Sequence, residues 1–161
     1  MGLFRKKTPQ THNILAQQTG RAIPLEEVKD PVFSQKVLGD GIAIVPENGE
    51  VFAPVSGKIV QISNTLHAVC IQGDDGVELL IHLGLDTVRL EGKGFTSFVK
   101  EGQHVCAGDR IVKMDLELIR QNGFETVSPC IITNMDRIKD FSTVSGNVVA
   151  GESAVIHYSI A

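Results

Sequence analysis

Two histidines on either side of a short polar turn are the residues of this chain best placed for chemistry. His67 and His82 each lie in an apolar run that predicts a β-strand, and the sequence Gln-Gly-Asp-Asp-Gly at residues 72–76 separates the two runs. Strands joined by so short a polar turn form a hairpin. Such a hairpin brings the two imidazoles together, and a neutral imidazole is a competent nucleophile.

The strand that carries His82 predicts the direction of its side chain. Read with a period of two, this strand has one unbroken apolar face, and His82 lies on the opposite face together with Gly84. The glycine lets a backbone carbonyl approach the Nδ1–H of an imidazole, which fixes the tautomer and leaves Nε2 free. Thr65 adds a nearby hydroxyl. The apolar face consists of Val77, Leu79, Ile81, Leu83 and Leu85.

Two other interpretations of the histidine pair remain open from the residues alone. A histidine beside a β-core is often structural, because histidine is intermediate in burial. A zinc site is the second, but His67 and His82 supply only half of a tetrahedral ligand set, and no Cys-x-x-Cys or His-Glu-x-x-His motif accompanies them. The other histidines are interpreted as solvated or packed residues: His12, His104 and His157.

Length and composition indicate one domain with a core of its own. The chain has 161 residues, enough to bury most of its apolar surface without a disulfide scaffold. Cys70, Cys106 and Cys130 are odd in number and lie in apolar surroundings, so reduced core residues are expected. The net charge of -4 argues against a broad surface for binding nucleic acid.

The sequence predicts a cytoplasmic protein. It contains no apolar run long enough to span a bilayer, and residues 1–7, Met-Gly-Leu-Phe-Arg-Lys-Lys, lack the apolar core of a secretory signal. Two apolar and three basic side chains in these residues permit peripheral membrane contact at most. Residues 1–22 are polar and without a sustained period, so they are predicted to be a flexible N-terminal segment before a domain at 23–161.

The ordered part of the chain predicts an all-β antiparallel sandwich or barrel. Short strand-like runs at 41–45, 51–55 and 58–62 precede the two histidine strands, and glycines and prolines separate them. One or two short helices are expected, at 115–123 behind a capping aspartate and at 134–140.

Two internal echoes predict a duplicated β motif. The sequence Val-Ser-Gly-Lys-Ile-Val at 55–60 recurs as Val-Ser-Gly-Asn-Val-Val at 144–149, and residues 105–111 recur loosely at 149–155. Each echo has the composition of a strand, a glycine turn and a second strand.

Five segments in the right order carry a family resemblance. They are residues 30–44, 51–57, 65–68, 76–88 and 90–95, and the most specific reads Gly-Val-Glu-Leu-Leu-Ile-His-Leu-Gly-Leu-Asp-Thr-Val at 76–88. With them the chain resembles the glucose-class enzyme IIA of the bacterial phosphoenolpyruvate-dependent sugar phosphotransferase system, over roughly residues 23–160. The resemblance implies an antiparallel β-sandwich that acts as a phosphotransferase component with a phosphohistidine intermediate and no required cofactor.

The resemblance also implies roles for individual residues. His82 would accept a phosphoryl group on Nε2 from the histidine phosphocarrier protein HPr, and would pass it to a cysteine on the IIB domain of a membrane sugar permease of the glucose type. His67 would orient the phosphoryl oxygens, and Thr65 would belong to the same hydrogen-bond network. Two acidic residues would meet arginines of the partners and three apolar residues would contact them, namely Asp30, Asp86, Phe33, Leu38 and Leu80.

Three alternatives accompany this interpretation. In the first alternative, the chain is a regulatory binding protein of the same fold that transfers no phosphate and has metabolic enzymes or transporters as partners. It would be a biotinyl- or lipoyl-like carrier domain, although Lys113 does not lie in the exposed hairpin that such a domain needs. His67 and His82 would bind zinc together with a residue of a partner, which the resemblance allows.

Overall fold

Antiparallel strands and two short helices make up most of the computed structural model, which describes residues 11–161. The helices are α1 (Pro31–Ser34) and α2 (Leu116–Gln121), and the 3₁₀ turns are Leu25–Glu27, Thr87–Leu90 and Met135–Arg137. In chain order the strands are β1 (Thr11–Leu15), β2 (Gly20–Pro24), β3 (Asp40–Pro46), β4 (Glu50–Phe52), β5 (Gly57–Ile62), β6 (Ala68–Gly73), β7 (Glu78–His82), β8 (Phe95–Ser97), β9 (His104–Val105), β10 (Arg110–Met114), β11 (Ser128–Ile132), β12 (Ile138–Thr143), β13 (Gly146–Val148) and β14 (Ala154–Ile160).

Three sheets enclose the main hydrophobic core. The largest has eight strands in the order β13-β2-β3-β11-β7-β6-β5-β9, and the two others are β1-β14-β12 and β4-β10-β8. Buried side chains from all three sheets, among them Ile81, Ile111 and Ile156, belong to one cluster. Packing of antiparallel sheets face to face is the architecture of a β-sandwich, so the predicted fold class is confirmed.

Strand β7 lies between β6 and β11 in the middle of the large sheet, with the alternation predicted from the sequence. The predicted apolar face is buried throughout, with Val77, Leu79, Ile81, Leu83 and Leu85 at most 5% exposed. The opposite face carries Leu80 and His82, both half-buried. Leu80 packs against a second, smaller apolar cluster that contains Phe33, Leu85 and Ile131. His82 therefore points away from the main core, as predicted.

The second sequence echo folds as two turns that contact each other. The Gly108 N–H donates to the Ala53 carbonyl at 2.8 Å, and the Gly151 N–H donates to the Ala16 carbonyl at 3.0 Å. A Cβ atom on Gly151 would lie 3.5 Å from Gly108 Cα. These turns connect β9 to β10 and β13 to β14, which is the strand, turn and strand arrangement predicted for a duplicated motif.

The prediction of a flexible segment through residue 22 is wrong for residues 11–22. Strand β1 pairs with β14, and β2 pairs with β3 and β13. Ile14 and Ala16 are fully buried, so these residues contribute to the core. The ordered domain therefore includes residues 11–22 and does not begin at 23. Residues 1–10, for which the sequence permits peripheral membrane contact at most, lie outside the described residues.

The predicted helices meet different outcomes. Helix α2 begins after Asp115, whose carboxylate accepts the Leu118 N–H at 3.1 Å, as expected of an N-cap. The helix expected at 134–140 is wrong beyond a single 3₁₀ turn, because β12 begins at Ile138 and pairs with β14. Helix α1 was not predicted. No helix within residues 11–161 is long and apolar enough to cross a membrane.

Candidate functional site

The two histidines meet at one end of the β6–β7 hairpin. His82 is the last residue of β7 and lies opposite Ala68, the first residue of β6. His67 precedes β6 in a bend, so its predicted position on a strand is wrong. The bend is tight because Leu66 has a φ of 60°. The Leu83 N–H donates to the His67 carbonyl at 2.7 Å, and the two ring centroids lie 5.0 Å apart at an interplanar angle of 78°.

The Nδ1 atom of His82 lies 2.7 Å from the Gly84 carbonyl oxygen, which is the contact expected from the sequence. Since a carbonyl only accepts hydrogen bonds, Nδ1 must carry the hydrogen. The neutral ring then has its lone pair on Nε2. The Phe33 ring lies against the same imidazole with centroids 5.1 Å apart. The His82 ring is thus held in one tautomer and one orientation.

Gly84 is required by its backbone conformation and by close neighbours. Its φ is 81°, in the region that favours glycine. A Cβ atom there would lie 2.6 Å from Thr87 Cγ2 and 2.8 Å from the Glu125 carbonyl oxygen. Any larger residue must therefore displace the loop that carries the carbonyl facing His82.

Two hydroxyl groups surround Nδ1 of His67. Thr65 Oγ1 lies 2.6 Å from this nitrogen and Ser63 Oγ lies 3.2 Å from it. Ser63 Oγ also accepts the Ala68 N–H at 3.1 Å. When Nδ1 accepts the Thr65 hydroxyl hydrogen, Nε2 of His67 carries the other ring hydrogen. The sequence predicted Thr65 here but missed Ser63, although the spacing Ser-x-Thr-x-His in a turn was the available signal.

Burial keeps both imidazoles neutral near pH 7. For His82, burial lowers the pKa below the ordinary 6.5, against opposing effects of the Gly84 hydrogen bond and of the Asp30 and Asp86 charges. For His67, burial lowers the pKa first and the neighbouring His82 lowers it further. The pair can therefore offer one bare Nε2 and one Nε2–H on the same surface.

The residues expected at the rim differ in exposure. Asp86 and Leu38 are exposed, whereas Asp30 and Leu80 are half-buried. The Asp30 carboxylate caps α1 by accepting the Val32 N–H at 3.0 Å. Phe33 is only 4% exposed, so it supports the His82 ring from below and offers little free surface. Three further apolar side chains are exposed in the segments that carry Asp30 and Asp86: Val32 in helix α1, Val37 just after it, and Val88 in the 3₁₀ turn Thr87–Leu90.

The described part of the chain offers little support for a metal site, a reactive thiolate or a modified lysine. Residues 11–161 contain no cluster of three or more His, Cys, Asp or Glu side chains suited to a metal ion. Zinc shared through Nε2 of His67 and His82 would need ligands from a partner and stays a prediction. Burial raises the pKa of Cys130 to about 12 and also raises that of Cys70, which disfavours thiolates. Lys113 lies inside β10, not in a hairpin turn.

Comparisons with known proteins agree on one family. The family model described as phosphoenolpyruvate-dependent sugar phosphotransferase system, EIIA 1, matches residues 12–138. The glucose-specific EIIA component of Oceanobacillus iheyensis is 40% identical over 154 residues, covering 95% of this chain and 93% of that protein. The Haemophilus influenzae component is 42% identical over 162 residues, covering 97% and 98%. The structure of glucose permease IIA from Mycoplasma capricolum matches with a TM-score of 0.86 and 42% identity, covering 92% and 96%.

Proposed function

Since this chain belongs to the EIIA 1 family of the phosphoenolpyruvate-dependent sugar phosphotransferase system, it is a phosphocarrier, and we propose that Nε2 of His82 is the atom that accepts the phosphoryl group. The observation that carries this proposal is the 2.7 Å contact between His82 Nδ1 and the Gly84 carbonyl. It places the hydrogen on Nδ1 and the lone pair on Nε2, so the nucleophilic atom is defined before any partner binds.

The step is a direct exchange of one phosphorus–nitrogen bond for another. The lone pair of His82 Nε2 attacks the phosphorus of a phosphohistidine on the histidine phosphocarrier protein HPr. The bond from phosphorus to the donor imidazole breaks, and its electron pair returns to that ring. Because His82 carries no hydrogen on Nε2, the step needs no general base. Catalysis is then mainly in-line positioning and stabilisation of the phosphoryl oxygens.

His67 is the group that stabilises those oxygens. Its ring lies 5.0 Å from that of His82, centroid to centroid, and the Thr65 hydroxyl, 2.6 Å from Nδ1, can donate to that nitrogen. The Nε2–H of His67 is then a preoriented donor for a phosphoryl oxygen on His82. Its lowered pKa keeps it a neutral donor, so no fixed cation traps the group. A donor of this kind favours both arrival and departure of the phosphoryl group.

The rim suits short encounters with two successive partners. Asp30 and Asp86 place negative charge beside His82, which complements arginines on HPr and on the IIB domain of a membrane permease. Exposed Leu38 and half-buried Leu80 add apolar surface that excludes water from the phosphohistidine. The relatives are named glucose-specific, so we assign the permease to the glucose type.

Intact mass spectrometry tests the proposal with the whole transfer chain. The protein is incubated with phosphoenolpyruvate, enzyme I and HPr, and the mass is read before and after brief acid treatment. We expect one phosphoryl adduct that acid removes and alkali leaves in place, and no adduct when HPr is omitted. Absence of an adduct, while the same HPr phosphorylates a control acceptor, contradicts the proposal and favours a regulatory binding protein.

A further inference from the structure

A buried serine lies directly behind the loop that holds His82. Ser128 is the first residue of β11 and is fully buried. Its Oγ accepts the Gly84 N–H at 3.3 Å and lies 3.2 Å from Nε2 of Gln18, and it donates to the Thr126 carbonyl at 2.9 Å. The direction of this hydroxyl is therefore fixed, with its donor used on Thr126 and its lone pairs turned to Gly84 and Gln18.

The two peptide groups on either side of Gly84 Cα are each held by two hydrogen bonds. In the first, the Leu83 carbonyl accepts the Thr87 hydroxyl at 2.7 Å and the Gly84 N–H donates to Ser128. In the second, the Gly84 carbonyl accepts from His82 and the Leu85 N–H donates to the Glu125 carbonyl at 3.1 Å. Glycine has wide freedom in φ and ψ, so contacts on both peptides are what hold its carbonyl on His82.

Two buried glutamines support this serine. Gln17 and Gln18 are both fully buried in the β1–β2 connection, and burial of an amide is costly unless it is hydrogen-bonded. Gln17 Nε2 donates to the Ser128 carbonyl at 3.1 Å, whereas its Oε1 has no partner. Together the glutamines hold both the side chain and the backbone of Ser128. Two apolar side chains would fill the same space without these hydrogen bonds. The presence of two glutamines therefore indicates that Ser128 has to be held in position.

We propose that Ser128 is a positioning residue for phosphoryl acceptance: its hydroxyl holds the Leu83–Gly84 peptide and thereby keeps the Gly84 carbonyl on Nδ1 of His82. The inference deepens the proposed function and rests on it for the consequence in transfer. Ser128 does not touch the phosphoryl group in this account. It acts by keeping the His82 ring in the tautomer whose lone pair is on Nε2.

The test compares Ser128→Ala with Ser159→Ala, which makes the same change at a buried serine on β14, in the β1-β14-β12 sheet. Nitrogen-15 NMR of the imidazoles above pH 7 reports the tautomer of His82. We expect wild type and Ser159→Ala to show Nδ1 protonated, and Ser128→Ala to show a mixture of tautomers. Phosphorylation by HPr should be slower in Ser128→Ala by about tenfold, the lower end of the effect of removing a supporting residue. A wild-type tautomer and rate in folded Ser128→Ala overturn the inference.

A second variant and a wild-type measurement keep the inference open to refutation if Ser128→Ala fails to fold. Ser128→Cys keeps nearly the same shape but offers a much weaker acceptor, so the same tautomer mixture is expected. In the wild-type protein, the Gly84 amide should exchange slowly with deuterium because Ser128 holds it. A Gly84 amide that exchanges as fast as an exposed loop amide overturns the inference.

The two readouts separate this inference from the proposed function. The tautomer of His82 is measured without any partner, so it tests the role of Ser128 even if HPr never phosphorylates the protein. Failure of the wild-type protein to become phosphorylated contradicts the proposed function and leaves the tautomer result unaffected. Normal phosphorylation in a Ser128→Ala protein with an unchanged tautomer contradicts only the role of Ser128.

Discussion

The two ends of the β6–β7 hairpin both bring histidines to polar partners, but the partners differ in charge. At the end described above, His82 faces a backbone carbonyl and His67 faces two hydroxyls. At the turn end, about 15 Å away by strand rise, the partners are carboxylates. There Nε2 of His104 lies 3.0 and 3.1 Å from the oxygens of Asp74, and Nδ1 of His12 lies 3.3 Å from Asp75.

This difference separates the proposed nucleophile, His82, from the histidines at the turn end. The Gly84 carbonyl fixes the His82 ring, and burial outweighs the tendency of this hydrogen bond and of Asp30 and Asp86 to favour the protonated form, so the lone pair on Nε2 of His82 stays available. At the turn end, Nε2 of His104 is already engaged, and Tyr158 donates its hydroxyl to Asp75 beside the His12 ring. Burial first, and then Asp75, raises the pKa of Tyr158, so the phenol remains a donor. The turn end therefore joins β1 and β14 to the hairpin.

The largest effect should come from replacing the proposed nucleophile, and the same substitution at the turn end should have no effect. His82→Gln should accept no phosphoryl group, because no other described imidazole displays a bare Nε2 beside a preoriented donor. His104→Gln removes a histidine from the turn end and should become fully phosphorylated. Intact mass after incubation with the phosphoryl donors distinguishes them. Stoichiometric labelling of His82→Gln would refute the assignment.

Replacing the second imidazole should impair transfer more than acceptance. His67→Gln keeps the nucleophile but loses the oriented Nε2–H, and loss of one such donor slows transfer by about a hundredfold. Rapid-mixing transfer from the phosphorylated protein to a IIB domain measures the effect. His12→Gln is the counterpart at the turn end and should transfer normally. Onward transfer by His67→Gln at the wild-type rate contradicts the role given to His67.

Two glycines with positive φ allow the same substitution at both ends. Gly84→Ala adds a Cβ that contacts Glu125 and Thr87 and should lower the free energy of unfolding by about 1–3 kcal/mol, while slowing phosphorylation. Gly76→Ala, at φ 99° with nothing within 4 Å of the added atom, meets backbone strain without a clash. It should be phosphorylated at the wild-type rate. Chemical denaturation and phosphorylation kinetics together measure both effects, and equal kinetics in the two variants contradict the loop argument.

The pH dependence should carry the signature of lowered pKa values at the site. Acceptance requires neutral His82, so its rate should hold down to pH 6.5 and fall only below it, as the lowered pKa is crossed. In the unfolded state both site histidines regain ordinary pKa values. As pH falls below 6.5, the unfolded state therefore binds protons before the folded state does. The free energy of unfolding should therefore decrease as the pH falls from 6.5 to the lowered pKa values of the folded protein. NMR titration that puts the His82 pKa above 6.5 contradicts this.

The smallest effect on transfer is expected from replacing Asp75, the carboxylate that accepts the Tyr158 hydroxyl. Asp75→Asn weakens the contacts to Tyr158 and His12 and should lower the free energy of unfolding by about 1–2 kcal/mol. Asp74→Asn removes an exposed partner of His104 and should change stability by less than about 1 kcal/mol. Phosphorylation should be unchanged in both variants. A slow Asp75→Asn variant would show that the two ends are coupled.

Local patterns were sufficient for the part of the site that lies within one strand and its turn. The alternation along β7 predicted the orientation of His82, and the glycine two residues later predicted the carbonyl on Nδ1. His67 was brought to the right place but on the wrong element, because a φ of 60° at Leu66 is not visible in a run of strand-forming residues.

The supporting contacts depend on residues that are distant in the sequence. Ser128 lies 44 residues from Gly84, and Gln18 lies 110 residues from Ser128, so no local spacing relates them. Strand β1 was missed for a similar reason. Its residues Thr-His-Asn-Ile-Leu are weakly apolar, and they form a strand because β14 provides a partner. Tertiary pairing overrides local propensity at such positions.

The measurement that tests the central claim most directly is the atomic assignment of the phosphoryl group on the wild-type protein. Nitrogen-15 and phosphorus-31 NMR of protein phosphorylated by HPr identifies both the residue and the ring nitrogen. We predict one phosphohistidine, on Nε2 of His82, with the hydrogen on Nδ1 still donated to Gly84. A phosphoryl group on Nδ1 of His82, on His67 or on any histidine at the turn end would contradict the account.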